Sequence, residues 1–129
     1  MIYEIREKQV MLDSDLAKLY HVETKRINEA VKNNPNKFPE RFSFVLDELE
    51  KEILWSKFST ANISNMSRSN PRVFTEQGVA MLSTILKSSI AVEVSISIMD
   101  AFVSMRHYLS NDNIKKSLLL EINKIIKEN

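Results

Sequence analysis

Cysteine is absent from the 129 residues, glycine occurs once, proline three times and histidine twice. Without cysteine there is no disulfide, zinc ribbon or thiol nucleophile, and two histidines leave little from which to build a metal site. The lone glycine, Gly78, rules out a glycine-rich phosphate loop. Charge of one sign is also lacking: 18 Lys plus Arg stand against 17 Asp plus Glu, a formal net charge of +1. A nucleic-acid partner must therefore be argued from local charge and a motif, not from the field of the whole chain. No run approaches the roughly 20 apolar residues that span a bilayer, and residues 1–8 lack the apolar core of a signal peptide. These absences predict a soluble, intracellular protein with no membrane partner.

What remains is 43% hydrophobic and 27% charged, the balance of one globular domain able to bury a core. Residues 2–6 and 9–12 are short Ile/Val-rich runs around Glu7-Lys8 and predict a hairpin. Asp13 and Ser14 then stand as N-cap residues ahead of Leu16, Ala17, Leu19 and Tyr20 on one helical face. His21-Val22-Glu23 interrupts this helix, and Thr24 offers a cap to a second one carrying Ile27, Ala30 and Val31. Asn33-Asn34-Pro35 ends it, because a residue before proline leaves the helical region.

Phe42, Phe44 and Leu46 alternate with Ser43 and Val45 as a strand would. Asp47 with Glu50 forms a capping signature for a helix expected to turn Leu49, Ile53, Leu54, Trp55 and Phe58 inward. Residues 59–71 are dominated by Ser and Asn and read as a mobile loop. Arg72-Val73-Phe74 suits a short strand and Thr75 caps a helix to about Lys87. A longer helix over residues 89–109 follows. Ser110-Asn111-Asp112-Asn113 separates it from a tail in which Ile114, Leu118, Leu119, Ile122, Ile125 and Ile126 form an apolar stripe. The expectation is an α+β fold: a small hairpin and short strands, a helix-turn-helix-like pair, a central helical pair and a C-terminal helical extension. Residues 1–110 form the domain. Residues 111–129 form an amphipathic helix that serves self-association or leads to a further domain.

Residues 15–32 carry the strongest pattern. A helix-turn-helix needs a small residue where its helices cross, a tight turn, and apolar residues near its start, middle and end. Ala17, the turn His21-Val22-Glu23, and Leu16, Val22, Ile27 and Val31 meet these demands. His21 stands where glycine is usual, and histidine visits positive φ more readily than most residues. The second helix would expose Thr24, Lys25, Arg26, Asn28, Glu29 and Lys32, with Lys25 and Lys32 suited to phosphates, Arg26 to guanine and Asn28 to adenine. Residues 24–41 hold Lys25, Arg26, Lys32, Lys37 and Arg41 against Glu29 and Glu40, while residues 56–74 hold Lys57, Arg68 and Arg72 and no acid. Arg68 and Arg72 would tip a wing that grips backbone or minor groove. The plainer alternative is an ordinary helical hairpin with a solvated basic face.

Other features have structural explanations. Gly78 inside a helix costs about 1 kcal/mol relative to alanine, which close packing of a neighbour would explain. Glu76 and Gln77 complement a helix N-terminus, Asp13 and Asp15 read as capping rather than as metal ligands, and His21 and His107 fit no ligand pattern. No catalytic residue, metal site, cofactor or small-molecule substrate is expected. The tail stripe is too wide to remain in water, and a homodimer would suit two helix-turn-helix units reading two half-sites.

Three segments carry a further likeness: Val10-Met11-Leu12-Asp13-Ser14-Asp15-Leu16-Ala17-Lys18-Leu19-Tyr20 continuing through Val22-Glu23-Thr24-Lys25-Arg26-Ile27-Asn28, then Arg41-Phe42-Ser43-Phe44-Val45-Leu46, then Phe74-Thr75-Glu76-Gln77-Gly78-Val79-Ala80-Met81-Leu82. With Ile98-Met99-Asp100-Ala101-Phe102-Val103 they cover about residues 2–107, over which the chain resembles the phage and bacterial ORF-six N-terminal domain, a relative of KilA-N. The resemblance implies an α+β module that binds double-stranded DNA, in antirepressors or transcriptional regulators of phage or prophage origin, acting without catalysis in the bacterial cytoplasm or nucleoid. The rival reading is a protein-interaction module whose same surfaces bind a repressor or a partner subunit.

Overall fold

In the computed structural model, residues 1–57 and 70–128 are described, with the backbone alone given for residues 57, 111–117, 119 and 128. Among the described residues the fold is α+β. Its strands are β1 (Tyr3–Ile5), β2 (Lys8–Leu12), β3 (Ser43–Val45) and β4 (Arg72–Phe74), and its helices α1 (Asp13–Tyr20), α2 (Thr24–Lys32), α3 (Glu48–Lys57), α4 (Glu76–Leu86) and α5 (Ser89–Glu128). A single 3-10 turn, Pro35–Lys37, follows α2. The strands form one antiparallel sheet in the order β1-β2-β4-β3.

Alternation along the two central strands divides the core. Met11 and Phe74 face a cluster built with Leu16, Ala17 and Tyr20 of α1, Ile27, Ala30 and Val31 of α2, Val79 and Leu82 of α4, and Ala91, Ile98 and Phe102 of α5. Val10, Leu12 and Val73 face the other side, where Phe44, Leu46 and Leu54 complete a smaller cluster. The sheet is thus covered on both faces, by four helices on one and by α3 on the other. Phe38, placed by the 3-10 turn, packs edge-on to Phe74 at 6.0 Å between ring centroids.

The hairpin turns one residue earlier than Glu7-Lys8. Arg6 and Glu7 both have positive φ, 54° and 62°, and Ile5 pairs with Lys8, the geometry of a two-residue primed turn. Neither residue relieves the strain as glycine would, so the Arg6 side chain holds the turn. Its guanidinium donates to both Glu50 oxygens at 2.8 and 2.9 Å and to Glu40 at 3.3 Å, and lies 4.3 Å from the Phe44 ring centroid. Glu50 also completes a reciprocal capping box with Asp47, at 2.8 and 3.0 Å.

That anchoring sets the rotation of α3 and corrects its expected inner face. Leu54 is buried and Trp55 half-buried, but Leu49 and Ile53 are exposed, and Lys51 is buried in their place, with its ammonium 4.9 Å from the Trp55 ring centroid. Phe58 lies outside the described residues. Two other caps also move by one residue: Leu12, not Asp13 or Ser14, is the N-cap of α1, and Glu23, not Thr24, that of α2. Thr75 caps α4 as expected, accepting from the Gly78 amide at 3.3 Å.

Gly78 is explained by the same corner. Thr75 donates its amide to the Phe42 carbonyl at 3.0 Å and its hydroxyl to Arg41 and Phe42 carbonyls. This draws the Phe42 backbone so near α4 that a Cβ on residue 78 would overlap the Phe42 carbonyl oxygen.

The largest departure from expectation is α5, which runs unbroken for 40 residues, about 60 Å. No Gly or Pro occurs after Gly78, and Ser110-Asn111-Asp112-Asn113 costs only a few tenths of a kcal/mol per residue in helix propensity, too little to stop a helix already propagating. The helix break expected at residues 110–113 falls inside this helix. No helix among the described residues is long and apolar enough to cross a membrane.

Two outcomes follow. Gly78→Ala should destabilise the fold by about 3 kcal/mol, since backbone rather than a flexible side chain must move, read as a lowered urea midpoint. Arg6→Ala should cost roughly 1 kcal/mol, its ion pairs being partly screened by solvent. The hydrogen bond from Arg6 holds the Glu50 carboxyl below its ordinary pKa. Its contribution is therefore present above the unfolded value of about 4.3 and is lost as pH falls through the lower folded value. The stability gap between wild type and Arg6→Ala should narrow in acid unfolding curves below about pH 4.

Candidate nucleic-acid interface

The α1–α2 pair is closed by its turn. His21 adopts the left-handed conformation, φ 58° and ψ 43°, its amide reaching the Lys18 carbonyl at 3.3 Å and that of Val22 the Ala17 carbonyl at 3.0 Å. This is a Schellman-type C-terminus with histidine where glycine is common. Leu16, Ala17 and Tyr20 pack with Ile27 and Val31 of α2, and the Tyr20 hydroxyl shares a buried 2.7 Å hydrogen bond with Ser95 of α5. Burial raises the Tyr20 pKa, against the lowering by that hydrogen bond.

With Ile27, Ala30 and Val31 turned inward, α2 presents an outer face. Lys25, Arg26 and Lys32 are exposed, Glu29 is half-buried beside them, and Lys25 lies 3.9 Å from Glu29 in an exposed i, i+4 pair worth little. Arg26 and Lys32 make no hydrogen bond or ion pair among the described residues. Lys25, Glu29 and Lys32 fall at i, i+4 and i+7 on one side, with Arg26 alongside.

Thr24 and Asn28 lie elsewhere, on the flank that lines a cleft of 610 Å³ together with Lys32, and Arg72 lines the same cleft. The structure thereby brings the second helix and the expected wing residue Arg72 to one cleft. Arg68 lies outside the described residues, as does most of the Ser/Asn-rich stretch. Arg72 is half-buried, its guanidinium 3.1 Å from the Ser43 hydroxyl. Burial lowers its pKa, and the negative charge of Asp13 opposes this.

Asp13 forms the floor. Only 6% exposed, it accepts from the Ser14 amide at 2.8 Å with one oxygen, and from the Asn28 side-chain amide at 2.9 Å and the Arg72 backbone amide at 3.3 Å with the other. One carboxylate therefore ties the start of α1, the middle of α2 and β4. Asn28 also donates to the Thr24 carbonyl at 3.2 Å. The residue assigned on sequence to adenine thus has its amide engaged in holding the helix, and would have to release Asp13 to meet a base. Asp15, the other acid of the pair, is half-buried with one oxygen lacking a hydrogen-bond partner among the described residues, and burial raises its pKa.

The fold, the turn and the Phe-Thr-Glu-Gln-Gly corner now stand beside a match to the family model for the ORF6N domain over residues 1–85. The chain belongs to the ORF6N domain family. The matched region contains the sheet, the α1–α2 pair, α3 and nearly all of α4, so the cleft lies wholly within the ORF6N domain, and α5 lies beyond the match. Comparisons with curated proteins and with solved structures returned no match.

Two roles missed on sequence are those of Asp13 and Arg6. Asp13 was legible as a polar residue at a strand-to-helix junction, but nothing local indicates that its partners come from residues 28 and 72. If it is the junction described, Asn28→Ala and Asp13→Ala should each destabilise the ORF6N domain by about 1–3 kcal/mol. The double variant should lose less than the sum, with a coupling above roughly 0.5 kcal/mol in a double-mutant cycle. Additive losses would mean that the two side chains act independently.

Proposed function

We propose that the chain binds double-stranded DNA, with α2 entering the major groove, and that it acts as a transcriptional regulator or antirepressor of phage type. The observation that carries this reading is the outer face of α2. Lys25, Arg26 and Lys32 stand in solvent, while the inner face and the Asp13 junction fix the helix to the sheet. A helix-turn-helix works by such a division, one face buried for orientation and the other offered to phosphates and base edges. Lys25 and Lys32 serve as backbone contacts that position the domain, and Arg26 as the side chain suited to reading guanine.

The cleft beside α2 contributes differently from a freely swinging arm. Arg72 is held by Ser43, so its charge acts from a fixed place in the cleft that Lys32 also lines. Membership of the ORF6N domain family supports the phage-type regulatory setting. The proposed role is a binding one with no chemical step, carried out in the bacterial cytoplasm or nucleoid.

Fluorescence anisotropy of a labelled mixed-sequence duplex, titrated at several salt concentrations, tests the reading. The logarithm of affinity should fall linearly with the logarithm of salt. Lys25→Ala and Lys32→Ala should each weaken binding to all duplexes and flatten that slope by about one unit. Arg26→Ala should relax preference at one base position, worth about 1–3 kcal/mol of discrimination. Absence of binding at low salt, or three silent variants, would refute it.

A further inference from the structure

Helix α5 buries one face and leaves an apolar flank beside it bare. Ala91, Ser95, Ile98 and Phe102 are buried against the domain, at i, i+4, i+7 and i+11. About a third of a turn round from that face, Val92, Ile96 and Val103 are exposed, as are Leu118 and Ile125 further along. This flanking stripe has a regular period. Val92, Val103, Ile114 and Ile125 follow one another at intervals of eleven residues in an unbroken helix. Eleven residues make three turns of 3.67 residues, so such a stripe stays on one side of a nearly straight helix for its whole length. An apolar line of this length and regularity fits another helix of the same period.

We propose that this stripe pairs, in antiparallel orientation, with the same stripe of a second copy of the chain. Charge favours self-pairing in that direction. Residues 89–112 carry Glu93, Asp100 and Asp112 against Arg106, whereas residues 113–128 carry Lys115, Lys116, Lys124 and Lys127 against Glu121 and Glu128. Antiparallel pairing lays the acidic half of each helix along the basic half of the other, while parallel pairing sets like halves together. One register also fits the repeat along the backbone: setting Val92 level with the partner's Ile125 sets position 103 level with the partner's position 114. A strip about 10 Å wide along most of a 60 Å helix on each copy amounts to on the order of 1,000 Å² in total, the size at which specific interfaces begin. The pairing extends well beyond the tail residues expected to associate, since it begins at Val92, and it does not depend on DNA binding.

Light scattering on the purified full chain should give twice the 15.0 kDa chain mass at micromolar concentration. Val92→Glu and Ile125→Glu, at positions 53% and 59% exposed, should each weaken the dimer at least tenfold while circular dichroism and the thermal midpoint of the domain persist. The native absence of cysteine makes orientation directly readable. Val92→Cys and Ile125→Cys proteins, oxidised separately, should stay uncrosslinked, and their mixture should yield a disulfide-linked mixed dimer. A monomer at all concentrations, a dimer indifferent to both glutamates, or ready self-crosslinking of Val92→Cys would overturn the proposal.

Discussion

A single buried carboxylate positions the surface that the proposed function depends on. Asp13 directly follows the central strand β2 and begins α1, and its oxygens accept from the Ser14 amide, the Asn28 side chain and the Arg72 backbone. Burying an ionised group without partners is among the costlier events in folding. Here three donors and the N-terminus of α1 compensate it, and the need to supply them constrains where α2 and β4 can lie. The geometry of the helix pair is thereby coupled to that of the sheet. A hydrophobic contact alone would fix the separation of α2 and the sheet but not the rotation of the helix about its own axis.

The remaining structure repeats this logic, with directional contacts setting orientation and apolar burial supplying most of the stability. Arg6 holds a strained turn by gripping Glu50, and Glu50 in turn caps α3 through Asp47. Thr75 gathers the Arg41 and Phe42 carbonyls and caps α4, which leaves room only for glycine at position 78. Tyr20 and Ser95 join α1 to α5 by a buried hydrogen bond. Between these points lie two apolar clusters on either face of the sheet, so that α2 turns its charged side outward from a scaffold fixed on every other side.

Much of this was legible in the sequence because the responsible interactions are local. The helix pair followed from apolar spacing around Ala17 and Ile27, the α3 cap from Asp47 and Glu50, the α4 cap from Thr75, and the close approach at Gly78 from a glycine misplaced in a helix. What escaped depended on partners distant in the chain. Asn28 has the chemistry of a base-reading residue, and its engagement with Asp13 arises only once residues 13 and 28 are brought together. Leu49 and Ile53 look like core residues by period, yet the Arg6–Glu50 contact turns them to solvent. The turn was misplaced by one residue because a non-glycine primed turn is unfavourable locally and is rescued by a contact 44 residues away. The break expected near residue 110 failed because polar residues weaken a helix without ending it.

Whether α2 meets DNA as proposed is read most directly by residue-resolved amide NMR during titration with a short duplex. Chemical-shift changes should concentrate over residues 24–32 and at Asn70 and Arg72, which line the same cleft, with the β1 and α3 resonances unmoved. Changes confined to β1 and α3, or no change at low salt, would contradict the proposal.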